Sequence, residues 1–294
     1  MKTSSIKISA VIFTAVFYSA IVFTSSCKKE GPAGPAGTNG LDGNVVSAAD
    51  QSAFDAADGL IGGRLYDNFI EELAVTDTAL LNHEDFFTCG SCHGFDLRGS
   101  AGVLISAVPD SIRPAVAPND LYVFAQTHNL REIFNAVKHT GGRNRMSNAN
   151  NRSYNASMPD FSLLLTDNEL WKITKVLKTK ALNTFRLYDL TTSGFYPTGT
   201  AVITNVGLDG NAANGDAVYA ANCVTCHGTN GTFIAVDDSS AYVGDFMRNS
   251  PDEFQHKVRC GTPASLMHTF PNMTESMVKD LLKAGQNALA YPGF

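Results

Sequence analysis

Two short strings decide how this chain is read: Cys89-Gly-Ser-Cys92-His93-Gly94 and Cys223-Val-Thr-Cys226-His227-Gly228. Between them they take four of the six cysteines and two of the seven histidines in 294 residues. Two thiols three positions apart can add to the two vinyl groups of one haem, and the adjacent histidine can then reach the iron as proximal ligand. A zinc ribbon places its Cys-x-x-Cys pairs about 15–20 residues apart, whereas about 130 residues separate these two. Thioredoxin-like redox chemistry calls neither for a histidine after both pairs nor for the motif twice. The strings therefore predict two covalently attached haem c groups, held through Cys89, Cys92, Cys223 and Cys226, with His93 and His227 on the irons.

Working outward, the same features recur in the same order around each string. Upstream lie Gly62 and Tyr66 in the first half and Gly215 and Tyr219 in the second. On a helix that four-residue spacing puts both on one face, where the glycine permits close approach of a second helix. Downstream lies a methionine, then a threonine opening an amphipathic helix: Met158 and Thr166, Met267 and Thr274. Thr166-Asp-Asn-Glu169 is a capping box, followed by Leu170, Ile173, Val176 and Leu177 as an apolar stripe. The second copy runs Met277, Val278, Leu281, Leu282. Each half reads helix, haem motif, loops, methionine, terminal helix.

That order resembles the class I cytochrome c fold, carried by GDAVYAANCVTCHG in the second half and by SMPDF and LTDNELWKITKVL in the first. GGRLYDNF, CHGFDLRG and EFQHKVRCG are similar to a group of exported dihaem cytochromes with two such domains. The resemblance implies an all-α fold of two cytochrome c-like helical haem domains in tandem, at 48–190 and 212–294 with a linker at 191–211. It also implies a methionine at each sixth iron position. Met158, followed by Pro159, is the candidate at the first site, with Met146 and His139 as rivals; Met267 is the candidate at the second, with His268 as rival. Two departures stand out. Tyr66 precedes Cys89 by 23 positions but Tyr219 precedes Cys223 by 4, which gives the first domain 19 extra residues as a lid or brace. No proline closely follows the second string, so the carbonyl that would accept the proximal histidine's proton is not identifiable.

The N-terminus reads as a leader. Lys2 and Lys7 precede an apolar stretch from Ile8 to Phe23, then Thr24-Ser-Ser-Cys27. The run resembles a bacterial lipobox, with Thr24 where leucine is commonest, so 1–26 is expected to be a lipoprotein signal peptide and Cys27 the lipidated residue. In 27–47, Gly31, Gly34, Gly37, Gly40 and Gly43 keep a collagen-like period that is too short for a triple helix and suits a stiff spacer.

Composition excludes other classes. A hydrophobic content of 44% and a charged content of 17% fit a folded chain, and a net charge of −6 does not suit nucleic-acid binding. Loss of Lys2 and Lys7 with the leader takes the charge to −8. The function expected is single-electron relay between a donor and an acceptor protein outside the cytoplasmic membrane, from a periplasmic or cell-surface lipid anchor. The alternative is a dihaem oxidoreductase of the thiosulfate dehydrogenase type, in which Cys260, the one cysteine without an evident role, would ligate the second iron. A non-catalytic surface module that carries haem is a third reading, supported only by the spacer. Cys260 otherwise reads as a small buried hydrophobe and His256 as a structural or propionate-contacting residue.

Overall fold

The computed structural model describes residues 45–82, 84–109, 115–142, 158–236 and 241–294. Cys27, the leader, most of the spacer and Met146 lie outside these. The described chain is largely helical, and none of its helices is long and apolar enough to cross a membrane.

The first half opens with α1 (Ala48–Ala56) and α2 (Gly59–Glu72), each started by a side-chain cap, Ser47 and Asp58. Helical dihedrals break at Asn68 in α2, where the side-chain Oδ1 accepts from the amides of Ile70 and Glu71 and restarts the turn. Short helices α3 (Thr78–Leu81) and α4 (Cys89–His93) follow, then α5 (Leu121–Thr127), α6 (Leu130–Lys138) and α7 (Asp167–Lys175). Thr166 caps α7 in the expected box with Glu169, and the helix runs on as a wide turn to Lys180. The extra residues before Cys89 pack inward through Phe69, Ile70, Leu80, Phe86 and Phe87, and Asn68 donates to Glu84. The insertion is a brace on the first core.

The expected all-α plan is interrupted between the halves. Strands β1 (Asp189–Ser193) and β2 (Thr200–Thr204) pair antiparallel, Asp189 opposite Thr204 and Ser193 opposite Thr200. Their threonine, valine and isoleucine content favours the extended state, so the segment read as a linker is mostly a hairpin. It docks on the first half, where the Val116 amide donates to the Tyr196 hydroxyl at 2.9 Å. The second core also begins before 212, with Leu187 and Tyr188 both wholly buried in it.

The second half holds α8 (Ala212–Asn222), α9 (Val224–His227), α10 (Val243–Asn249), α11 (Pro251–Cys260) and α12 (Glu275–Ala284). In each half the helix before the haem string crosses the terminal helix at the glycine singled out above. A Cβ on Gly62 would collide with the Lys172 carbonyl oxygen of α7, and one on Gly215 with the Asp280 carbonyl oxygen of α12.

One helix belongs to both halves. The outer face of α11 bonds to the first half: His256 Nε2 lies 2.9 Å from the Gly63 carbonyl oxygen, Gln255 Nε2 donates to Phe95 at 3.2 Å, and Lys257 pairs with Asp67 at 2.6 Å. Arg259 donates to the Lys180 carbonyl. Cys260, 1% exposed, lies in the first core with its sulfur where a Cβ on Gly63 would be.

Two predictions follow from this packing. Gly215→Val should cost at least about 1–3 kcal/mol, because backbone rather than a side-chain tip must yield; denaturant unfolding of the haem-loaded protein reads it. The second concerns α11. Burial pushes His256 down to about 4, so acidification from pH 6.5 to 4 protonates the unfolded state first and lowers stability. Burial, then the neighbouring Asp96, pushes Asp252 up to about 7, so its native proton gives the opposite slope over that range. Asp252→Asn should therefore steepen the loss of stability on acidification, by up to about 1.4 kcal/mol per pH unit for one proton. An unchanged slope would contradict it.

Candidate functional site

Each half contains a cavity of about 440 Å³ with part of its haem string on the wall; the first is lined almost wholly by apolar groups, the second by a mixture that sets Asp245, Glu253 and Lys257 beside Phe254 and Val258. The short helix α4 sets Cys89, Cys92 and His93 on one face, since positions three and four apart on a helix are neighbours. The turn ends at Gly94, whose φ is +69°. Cys89 and His93 line the first cavity, which α2 closes with Tyr66, α6 with Ile133 and Val137, and α7 with Ile173. Met158 lines the same cavity. His139, the rival ligand, also lines it; its Nδ1 lies 3.2 Å from the Pro159 carbonyl oxygen.

The second cavity repeats the arrangement. Cys223 and His227 lie on its wall with Tyr219, Phe254 and Val258, and Met267 lines it too. His268, adjacent in sequence, packs its ring on Phe270 at 4.7 Å. Cys92 and Cys226 are not among the lining residues; Cys226 is exposed at the outer end of its turn. The two cavities differ in cover. Cys89 is buried, whereas Thr225 and Cys226 are open to solvent and Phe233, 77% exposed, flanks the second string.

Cys260 does not line the second cavity. It points to the other side of α11, into the first core, and burial pushes its thiol up to about 11. The reading of Cys260 as a thiolate ligand at the second site has no geometric support, and the buried small hydrophobe is what the fold contains. His256 is a structural residue, packed between Tyr66 and Phe95 with ring centroids at 5.9 and 4.9 Å.

The residues on the walls suit a haem. Burial holds the His93 imidazole down to about 4 and lowers His227 as well, so both are neutral at pH 7, the state that ligates iron. The Nδ1 atoms of both histidines are buried without a hydrogen-bond partner among the described residues; for His227 this matches the lack of a proline after the second string. The Cys89 and Cys223 thiols, pushed up to about 12 and about 11 by burial and then by the second cysteine of each pair, stay protonated. Cys89 and Cys223 line different cavities, and among the described residues no three His, Cys, Asp or Glu side chains come together as a metal site.

Three recurring elements escaped the sequence reading. The Tyr66 hydroxyl donates to the Gly94 carbonyl at 2.7 Å, and Tyr219 donates to Gly228 at 2.9 Å. Each tyrosine thus fixes the residue after the proximal histidine. Helices α6 and α11 form equivalent walls, Ile133 and Val137 matching Phe254 and Val258. After each helix a glycine receives the methionine's carbonyl: a Cβ on Gly142 would lie 2.7 Å from Met158 O, and one on Gly261 2.6 Å from Met267 O. The apolar pair at i and i+4 before a glycine was the available signal.

Residues 210–283 match the family model described as Cytochrome C oxidase, cbb3-type, subunit III. No curated protein and no solved structure matches the chain. The matched stretch holds Cys223, Cys226, His227 and Met267, and a cytochrome c domain there implies covalently bound haem c and a general role in electron transfer.

Tyr66→Phe should cost about 1–2 kcal/mol in chemical unfolding, because the buried Gly94 carbonyl keeps only a long 3.4 Å bond from the Leu97 amide. Tyr219→Phe should cost less, its acceptor being nearer solvent.

Proposed function

We propose that the chain is a dihaem c-type cytochrome that passes single electrons between partner proteins outside the cytoplasmic membrane, anchored through a lipidated Cys27. What supports the reading is the repeat of one assembly: in each half a cysteine, a neutral histidine and a methionine line one cavity. Haem c attached through Cys89 and Cys92, and through Cys223 and Cys226, would supply a one-electron couple in each half. His93 and Met158, and His227 and Met267, would fill the two axial positions of each iron; methionine with histidine raises the potential.

The chain's own residues define what such a protein does. The apolar side chains on the walls, Ile133, Val137 and Ile173 in the first half and Phe254 and Val258 in the second, would limit the water at each site. Tyr66 and Tyr219 keep each proximal histidine's turn in place. The sulfur-ligated oxidoreductase reading depended on Cys260, which lies on the far side of α11 from the second cavity, so nothing in the site favours it. The acidic net charge of −6 favours partners with basic faces, in contacts that weaken with salt.

The test is the visible spectrum of the purified protein, oxidised and reduced, scaled to protein concentration. The proposal expects two c-type haems with the full methionine–iron charge-transfer absorbance of the ferric form. Half that absorbance would put another group at one iron, and a single haem would remove the relay.

A further inference from the structure

The loop presenting Met267 is closed by a dense set of bonds. After α11 ends at Cys260, Gly261 takes φ +80° and leaves room for the Met267 carbonyl. The Thr262 amide donates to that carbonyl at 3.2 Å. The Ser265 hydroxyl donates to the Thr262 carbonyl at 3.2 Å and accepts from the Met267 amide at 3.1 Å. Beyond the loop, the Phe270 amide donates to Arg259 at 3.1 Å. These bonds turn Met267 into the cavity and His268 toward Phe270. Inside the loop the Thr262 hydroxyl donates to the Met267 sulfur at 3.8 Å, and both residues line the second cavity.

We propose that Thr262 is a positioning residue for the second site: its hydroxyl orients the Met267 thioether and tunes how strongly that sulfur donates to iron. The inference rests on Met267 being the axial ligand. A thioether is a weak acceptor with two lone pairs. Engaging one with Thr262 fixes which way the other faces and draws electron density from the sulfur. A poorer donor stabilises the ferric state less than the ferrous one, so the hydroxyl favours the reduced form. Partners of metal ligands orient and tune them in this way generally. The first site shares the glycine, Gly142, but sets His139 Nδ1 3.2 Å from the Pro159 carbonyl oxygen beside its methionine, and so serves as an internal reference.

Thr262→Val keeps the side chain's shape and removes the donor; Thr262→Ser keeps the donor. Both are made in the full haem-loaded chain and followed by spectroelectrochemical titration and by the pH at which the methionine–iron band disappears. For valine, the ratio of reduced to oxidised second haem at a fixed applied potential should fall about two- to tenfold, with the first haem unchanged and the band, now from a better donor on ferric iron, lost at higher pH. Serine should restore most of both. Should the valine variant fail to hold the second haem, Thr262→Ala carries the same expectation. Met267→Ala separates the two levels of the argument. If it removes half the band while the Thr262 variants match the wild type, the role of Thr262 is wrong and the ligand assignment stands. If it leaves the band intact, the assignment of Met267 is wrong and the inference goes with it.

Discussion

In each half two helices cross backbone to backbone at a glycine, where an added Cβ would collide with a carbonyl oxygen: Gly62 with Lys172, Gly215 with Asp280. No side chain separates the helices there, so each pair meets at its minimum distance and everything above the crossing is fixed in height. Four residues on, Tyr66 and Tyr219 rise from the same helix faces and reach the carbonyl that ends the haem string. Without the crossing the tyrosine would miss its acceptor, and the histidine beside it would lose its place on the cavity wall. The methionine of each half lines the same cavity from the loop that leads into the second crossing helix.

The halves are joined by more than chain continuity. Helix α11 gives Phe254 and Val258 to the second cavity and sends Gln255, His256, Lys257 and Arg259 across to the first half. Tyr66, on the wall of the first cavity, touches His256 of the same helix. The partition between the two cavities is therefore one helix and its contacts, built from buried polar bonds with directional requirements rather than from a slippery apolar face. Such bonds fix orientation more than they add stability. For the relay proposed above this would be the useful property, since the separation of two haems would matter more than the strength of the contact that sets it.

Much of this was legible in the sequence because it rests on local rules. The capping box at Thr166, the glycine–tyrosine spacing and the methionines before the terminal helices depend on residues a few positions apart, and the fold contains each of them. What was not legible depends on partners distant in the chain. Cys260 looked like a candidate ligand because it lies seven residues before Met267; its helix turns it instead toward Gly63, nearly two hundred residues earlier. The hairpin was missed because threonine-rich stretches serve as linkers as readily as strands, and docking on Val116 is what selects the strand. The carbonyl partners of Tyr66 and Tyr219 were hidden because a backbone acceptor leaves no mark on residue identity.

The central claim is that both halves, and not the second alone, are haem-binding units built on the same plan. Peptide mapping by mass spectrometry of the protein from a host able to attach haem c tests it most directly. The account predicts one haem on the peptide carrying Cys89 and Cys92 and another on that carrying Cys223 and Cys226. A haem on the second peptide with unmodified thiols at Cys89 and Cys92 would contradict it.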